Sequence, residues 1–410
     1  MSKILDDIEA LLLNDAEPHT PEGSEPRAVV HQWVHAIAHE LPLFGNNINS
    51  KKIIKKLKDA GFYKSKKSFQ VTLTEFLPIT PPKKPKFTFI DLFAGIGGMR
   101  IGAQNNGGIC VFSSEFEKNA QKTYLENHGE FPFGDITQIS SDDIPTHDLL
   151  FAGFPCQPFS HAGLKKGIDD TRGTLFHNIA KILQIKKPKV AILENVKGLI
   201  SHDKGNTLQV ILRVLTNMGY SCNIPKEIIF NESAKILQSE AKKMILKSID
   251  FGIPQNRQRI YIVLWRDGLV DHFNYPQPLG VATKVGDILE DNPEPKYTIS
   301  DKLWAGHKRR KIQNKKNGKG FGYGSVTPES PYTNTISARY YKDGSEILIE
   351  QEGKNPRKVT PREAARIQGF PDDFSISSSN VQAYKQFGNS VSVPVITNLV
   401  TRIYEDILCL

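Results

Sequence analysis

Cysteine is scarce. The 410-residue chain holds four, Cys110, Cys156, Cys222 and Cys409, and no two have CxxC spacing. That argues against a disulfide framework and the usual zinc-ligand patterns, so no metal site is expected, and it fits a reducing compartment. No apolar run approaches the ~20 residues needed to cross a bilayer, so no membrane role is expected. The opening Met1-Ser2-Lys3-Ile4-Leu5-Asp6-Asp7 does not read as a signal peptide. Internal repeats and low-complexity tracts are also missing. Acidic residues are the minority: 53 Lys and Arg against 44 Asp and Glu leave a net charge of +9 and a pI of about 9.1. A polyanionic partner fits that excess, although many soluble proteins are as basic.

What is present suggests two or three domains. Residues 1–86 read as a separate extension, acidic and loose to about Arg27, then helical over 29–41. Lys51-Lys52-Ile53-Ile54-Lys55-Lys56-Leu57-Lys58 again has helical spacing. Residues 50–67 fit part of a helix-turn-helix or, more simply, a solvated lysine face. Pro78, Pro81, Pro82 and Pro85 among Lys83, Lys84 and Lys86 read as a stiff basic linker. From Phe87 strands and helices alternate: strands over 87–93, 109–114, 148–152, 190–193 and 260–265, with helices between them. This rhythm predicts an α/β fold with a doubly wound, mostly parallel sheet over 87–266. The rhythm stops over 267–357, which reads as a small Pro-, Gly-, Lys- and Tyr-rich domain. Residues 358–410 return to the sheet domain.

The chemistry-bearing stretch is Gly153-Phe154-Pro155-Cys156-Gln157-Pro158-Phe159-Ser160. It follows the apolar run Leu149-Leu150-Phe151-Ala152, so Cys156 falls where a buried strand gives way to a loop. Ligands collect at that edge of open α/β sheets. Prolines on both sides stiffen the backbone around the thiol. A held, loop-borne thiol is a candidate nucleophile; an isolated cysteine is otherwise inert core.

The first strand ends in Asp91-Leu92-Phe93-Ala94-Gly95-Ile96-Gly97-Gly98. Glycines at a strand-to-helix turn let backbone approach a ligand. No Lys-Ser/Thr follows, which excludes a P-loop. Glu115, at the end of the second strand, is placed to bond ribose hydroxyls, and Asp135 to accept from an adenine amino group. Glycine turn and carboxylates together suit a nucleoside cofactor. Glu194-Asn195-Val196 ends another strand, so an acid is expected near the Cys156 strand end. An acid beside a thiol is what addition to a heteroaromatic ring needs. Arg257 and Arg259, two apart on an extended segment, are expected to face one side and bind a carboxylate, a phosphate or the substrate ring. Asn389 and Ser390 enter a terminal helix, where amides suit a cofactor carboxylate.

These segments, in this order, resemble the C5-cytosine DNA methyltransferases. The matches are residues 89–95, Glu115, Asp135, 153–157, 194–196, 255–259, 360–363 and 388–391. The resemblance implies S-adenosylmethionine as methyl donor and a cytosine flipped out of duplex DNA. It implies catalysis by Cys156, Gln157, Glu194, Arg257 and Arg259: attack by the Cys156 thiolate on ring C6, and protonation on the N3 side by Glu194. Donor contacts are implied at Phe93, Gly95, Gly97, Glu115, Phe116, Asp135, Pro155 and Asn389, with Phe93 and Phe116 flanking the adenine. Residues 160–173 are implied to be a DNA-closing loop carrying Ser160 and Arg172.

Residues 267–357 correspond to the family's variable target-recognition region, with Arg339 and Tyr340 as implied DNA contacts. The run from Arg339 to Ile349 resembles regions that read CC-W-GG or CC-N-GG sites; it also reads as a turn-flanked strand pair. The implied setting is a monomeric enzyme in a bacterial cytoplasm, held to the nucleoid through DNA. A restriction endonuclease acting on the same site without binding the methylase would accompany it. Two alternatives stay open: an RNA cytosine-5 methyltransferase of the same fold, and a DNA-binding regulator with residual catalysis. His31, His35 and His39 share a helix face at metal-ligand spacing, but no carboxylate or cysteine pattern joins them.

Overall fold

The computed structural model describes residues 3–155 and 175–409. The chain divides into two compact units. The first comprises Met1–Ile245, Arg259–Tyr275 and Leu399–Leu410, the second Leu246–Gln258 and Pro276–Asn398.

The first unit begins with four helices, α1 (Lys3–Ala16), α2 (Pro26–His39), α3 (Ser50–Asp59) and α4 (Lys66–Thr74). The stretch expected to be loose is therefore largely helical. Leu5, Ile8, Leu12 and Ala16 recur at helical spacing on the buried face of α1. Ile53 and Leu57 of α3 turn inward and its lysines mostly outward; Lys52 and Lys56 pair with Asp15 of α1. The buried face of these helices and the sheet share one hydrophobic core, from Leu5, Trp33 and Leu57 through Phe112 and Leu150 to Leu264. The extension is packed on the sheet, not set apart from it.

The sheet has seven strands: β1 (Phe87–Leu92), β2 (Gly108–Ser114), β3 (Leu149–Gly153), β4 (Val190–Val196), β5 (Tyr220–Ser221), β6 (Ile245–Lys247) and β7 (Gln258–Arg266). Six of them run in the order β2-β1-β3-β4-β7-β5. The neighbours among β1 to β4 are parallel, as their unbroken apolar runs predict. β7 lies antiparallel to β4 and β5. Helices α5 (Gly98–Gln104), α6 (Lys118–His128), α7 (Leu175–Lys186), α8 (Asn206–Asn217), α9 (Lys226–Asn231) and α10 (Ala234–Ala241) complete the run of elements to residue 245. The strand order reverses at β1, which has β2 on one side and β3 on the other. In such sheets the crevice beyond the strand ends at the reversal takes ligands.

The second unit holds α11 (Asp301–Lys316), a three-stranded sheet of β8 (Ser325–Val326), β9 (Leu348–Ile349) and β10 (Arg357–Lys358), then α12 (Pro361–Ile367) and α13 (Asn380–Asn389). α14 (Val393–Ile403) carries the chain back into the first unit. Thr360 and Glu363 start α12 with a reciprocal capping box.

Candidate active site

At the reversal point β1 ends and the chain turns through Phe93 to Gly97 into α5. Phe93 takes φ +58°, and Gly95 and Gly97 take +57° and +86°. A left-handed conformation is strained for a residue with a side chain, so Phe93 is held there by its surroundings. Gly97 has a second reason to lack a side chain: a Cβ would lie 2.1 Å from His128 Nε2. Beside Gly95 the space is open.

The Gly95 amide donates to Glu115 Oε2 at 2.7 Å, and the Glu117 amide to Oε1 at 2.7 Å. Burial lifts the Glu115 pKa above its ordinary value, against the pull of these amides. Phe116, next in the chain, is 76% exposed. Asp135 caps a short helix, its Oδ1 accepting from Thr137 N at 2.9 Å. Asp91 is buried in β1, with Oδ2 lacking a hydrogen-bond partner among the described residues, and burial pushes its pKa up to about 7. A nucleoside fits this set. A carboxylate touches the glycine turn, an aromatic face is open to stack on, and Gly95 leaves room for close approach.

The second cluster is built by β3, β4 and β7. Gly153 is in register with Glu194 across the β3–β4 pair. A Cβ on Gly153 would meet Glu194 Oε2 at 3.6 Å, so the carboxylate lies over that strand end. Arg259 opposes Val196 on β7. Residues 194 and 196 share a sheet face, which makes Arg259 the diagonal neighbour of Glu194. Its Nε lies 3.2 Å from Glu194 Oε1. Asn195 is buried and donates to the Phe154 carbonyl at 2.9 Å, tying the end of β4 to the turn after β3. Sequence reasoning gave Asn195 no role; an amide beside the acid at a strand end was the available signal. Pro155 is exposed at the end of the described segment. Cys156, Gln157, Ser160 and Arg172, with the loop 160–173, lie outside the described residues.

Two expectations are corrected. Arg257 is not on the same strand as Arg259. It precedes β7, is buried, and donates to the carbonyls of Ser390 at 2.5 Å and Ile336 at 3.4 Å. The period-two rule applies only within a strand, and Arg257 lies outside it. The guanidinium thus ties the turn after α13 to the segment before Arg339. Tyr340 is fully buried: its hydroxyl donates to the Ile347 carbonyl at 2.6 Å and accepts from Val359 N at 2.9 Å. It is core of the second unit, not a surface contact.

Arg339 is exposed, and so is Asn389 at the last position of α13. Gly388 packs so tightly on Ser337 that a Cβ would lie 2.3 Å from its carbonyl carbon. Helix α11 exposes Lys308, Arg309, Arg310, Lys311, Lys315 and Lys316, and buries only His307. The histidines of α2 have packing partners: His31 Nδ1 accepts from Phe131 N at 2.8 Å, His35 Nε2 bonds the Cys110 carbonyl at 3.1 Å, and the His39 ring packs at a tilt against His35.

A family model for the C-5 cytosine-specific DNA methylase matches residues 87–405. The chain belongs to this family. The C-5 cytosine-specific DNA methylases use S-adenosylmethionine, which the glycine turn and its carboxylates suit, and the protein is a DNA (cytosine-5-)-methyltransferase acting on DNA. Type II methyltransferase M.NlaX of Neisseria lactamica is 61% identical over 313 residues, 76% of this chain and 94% of the relative. Type II methyltransferase M.SsoII of Shigella sonnei is 55% identical over 338 residues, 80% and 84% of the two chains. Among solved structures, the S. pombe Dnmt2 methyltransferase aligns with a TM-score of 0.60 at 21% identity, covering 78% of this chain and 98% of its own. That likeness shows the shared methylase fold alone. Neither an RNA methylase nor a DNA-binding regulator is favoured by these matches. No helix among the described residues is long and apolar enough to cross a membrane.

Proposed function

We propose that this methylase modifies a flipped-out cytosine through Cys156, with Glu194 as the acid and Arg259 as its partner. The observation that carries the reading is the Glu194 carboxylate, over Gly153 at the end of the strand that leads to Cys156 and 3.2 Å from Arg259. The Cys156 thiolate attacks ring C6, and its electron pair becomes the C6–S bond. Glu194 holds the N3 side and supplies its proton, so charge displaced into the ring is neutralised there. S-adenosylmethionine, when bound, supplies an electrophilic methyl group to carbon 5 and leaves as S-adenosylhomocysteine. Loss of the carbon-5 proton to water then returns its electron pair to the ring and expels the Cys156 thiolate, and the N3 proton goes back to the Glu194 carboxylate.

Glu115 and Asp135 take the donor's ribose hydroxyls and adenine amino group, and Phe116 stacks on the adenine. Asn389 meets the methionine end. Residues 267–357 read the target, with Arg339 on a base edge and the cations of α11 on phosphates. The Arg339 to Ile349 run favours a CC-W-GG or CC-N-GG type of site. The Type II names of the relatives support a restriction-modification role. The enzyme is further proposed to work as a monomer in a bacterial cytoplasm, beside an endonuclease that acts on the same site without binding the methylase.

Bisulfite sequencing of DNA from cells expressing the protein reads activity and target together. Duplex DNA with 5-fluorocytosine at the target is expected to remain bonded to the enzyme through denaturation, because fluorine does not leave as the proton does. Cys156→Ser is expected to abolish both the adduct and turnover. Turnover within tenfold of the parent would overturn the assignment.

A further inference from the structure

The segment joining α6 to Asp135 is clamped from outside by the N-terminal extension. At its start, the Phe131 amide donates to His31 Nδ1 at 2.8 Å, and Arg27 lies 4.8 Å above the Phe131 ring. In the middle, the Phe133 ring packs on Phe44 at 4.2 Å. At its end, the Gly134 amide donates to Ser24 Oγ at 3.0 Å. The approach there is close: a Cβ on Gly134 would lie 1.9 Å from the Gly23 carbonyl oxygen, and one on Gly23 would touch Asp135 Cβ at 3.6 Å.

The opposite side of the segment is tied to the sheet. Phe133 N donates to the Ser113 carbonyl at 2.9 Å, and Glu115 N to the Phe133 carbonyl at 2.8 Å. Residues 131–135 therefore sit between the extension and β2; of the two carboxylates expected to meet the donor, one belongs to this segment and the other borders it. Asp135 follows Gly134 directly, and Glu115 is bonded to Phe133.

We infer that the extension is the outer support of the donor site, with Ser24 a positioning residue that sets Asp135 through Gly134. This rests on the reading of Asp135 as a donor contact. The hydroxyl fixes one amide at the corner where the chain turns into Asp135. Its loss frees that corner to move by the fraction of an ångström that a nucleoside hydrogen bond tolerates. The effect falls on donor affinity and leaves the chemistry at Cys156 and Glu194 alone.

The test uses the full chain and calorimetric binding of S-adenosylhomocysteine, with steady-state kinetics on duplex DNA. Ser24→Ala is expected to weaken binding about 3- to 10-fold, equivalent to one lost hydrogen bond. The KM for donor should rise in step, with kcat and the KM for DNA unchanged. Ser24→Thr, which keeps a hydroxyl, is expected to stay near the parent. In Asp135→Ala the further loss on adding Ser24→Ala should vanish, since the serine acts through the carboxylate. If Asp135→Ala weakens binding but Ser24→Ala does not, or if the two losses simply multiply, the inference is overturned. If Asp135→Ala itself binds like the parent, the donor-contact reading fails first. A fall in kcat at saturating donor would also overturn the inference, by placing Ser24 in global stability instead.

Discussion

Arg259 and Glu194 meet diagonally across the antiparallel β4–β7 pair, guanidinium Nε 3.2 Å from carboxylate Oε1, both side chains mostly buried. The antiparallel turn of the last strand is what brings the arginine to the acid. Glu194→Gln is expected to lower the single-turnover methylation rate by about 10²–10⁴-fold, since an amide delivers a proton poorly. Arg259→Ala should lower it by a smaller factor, and the double variant by less than the product of the two. Affinity for S-adenosylhomocysteine should be unchanged throughout. An unaltered single-turnover rate in Glu194→Gln would remove the acid role.

Acid lability should trace to α2. Burial, reinforced by the nearby Arg100 charge, pulls the His35 pKa down to about 3. In the unfolded chain the same ring titrates near 6.5. Between these limits the unfolded chain carries the extra proton, so stability falls as pH is lowered. From pH 6.5 to 5 this one group is expected to cost about 2 kcal/mol of unfolding free energy. Urea titrations at the two pH values should show a shallower drop in His35→Gln. An unchanged drop would move the effect to other groups.

The two kinds of exposed cation in the second unit should separate by salt dependence. Arg339→Ala should cost on the order of 1–3 kcal/mol of discrimination at one base pair if it reads a base edge. Lys315→Ala or Lys316→Ala in α11 should weaken binding equally on all sequences. Each should also reduce the slope of log affinity against log salt by about one. Fluorescence anisotropy with cognate and scrambled duplexes at several salt concentrations measures both. A sequence-independent loss for Arg339→Ala would reassign it to phosphate.

A buried ion pair anchors the second unit. Arg357 Nη1 and Nη2 reach Glu363 Oε2 and Oε1 at 2.7 and 2.8 Å, and the same carboxylate accepts from the amides of Thr360 and Glu290. Glu363→Ala leaves a buried guanidinium uncompensated and should destabilise by about 3–5 kcal/mol. Thermal unfolding checks this; a shift under 1 °C would show the pair to be dispensable.

The strands of the parallel half were legible because burial on both faces writes an apolar run. The same run carries no record of direction, so the antiparallel β7 was hidden. Helix α1 was hidden by acidic residues around its Leu5, Ile8 and Leu12 stripe, and α11 by having almost no apolar face at all. The glycine turn and its carboxylates were legible because close backbone approach restricts residue type. Arg257 and Tyr340 were misplaced because cations and aromatics serve cores as readily as ligands. Nothing in residues 20–45 announced the clamp on 131–135, since a serine hydroxyl and a glycine carbonyl leave no pattern.

β2 is the last strand on its side of the sheet, and its pairing with β1 skips Val111 as a bulge. The outward carbonyls of Cys110 and Val111 are met by His35 and Gln32 of α2, at 3.1 Å each. With Phe133 bridging the far end of the strand at Ser114, these two side chains stopper the rest of a hydrogen-bonding edge that would otherwise offer itself to a second chain. A version trimmed to begin at Phe87, where the family's own region starts, would uncover that edge together with the apolar face beneath α2. Such a version is expected to stick to itself before it loses its strand order.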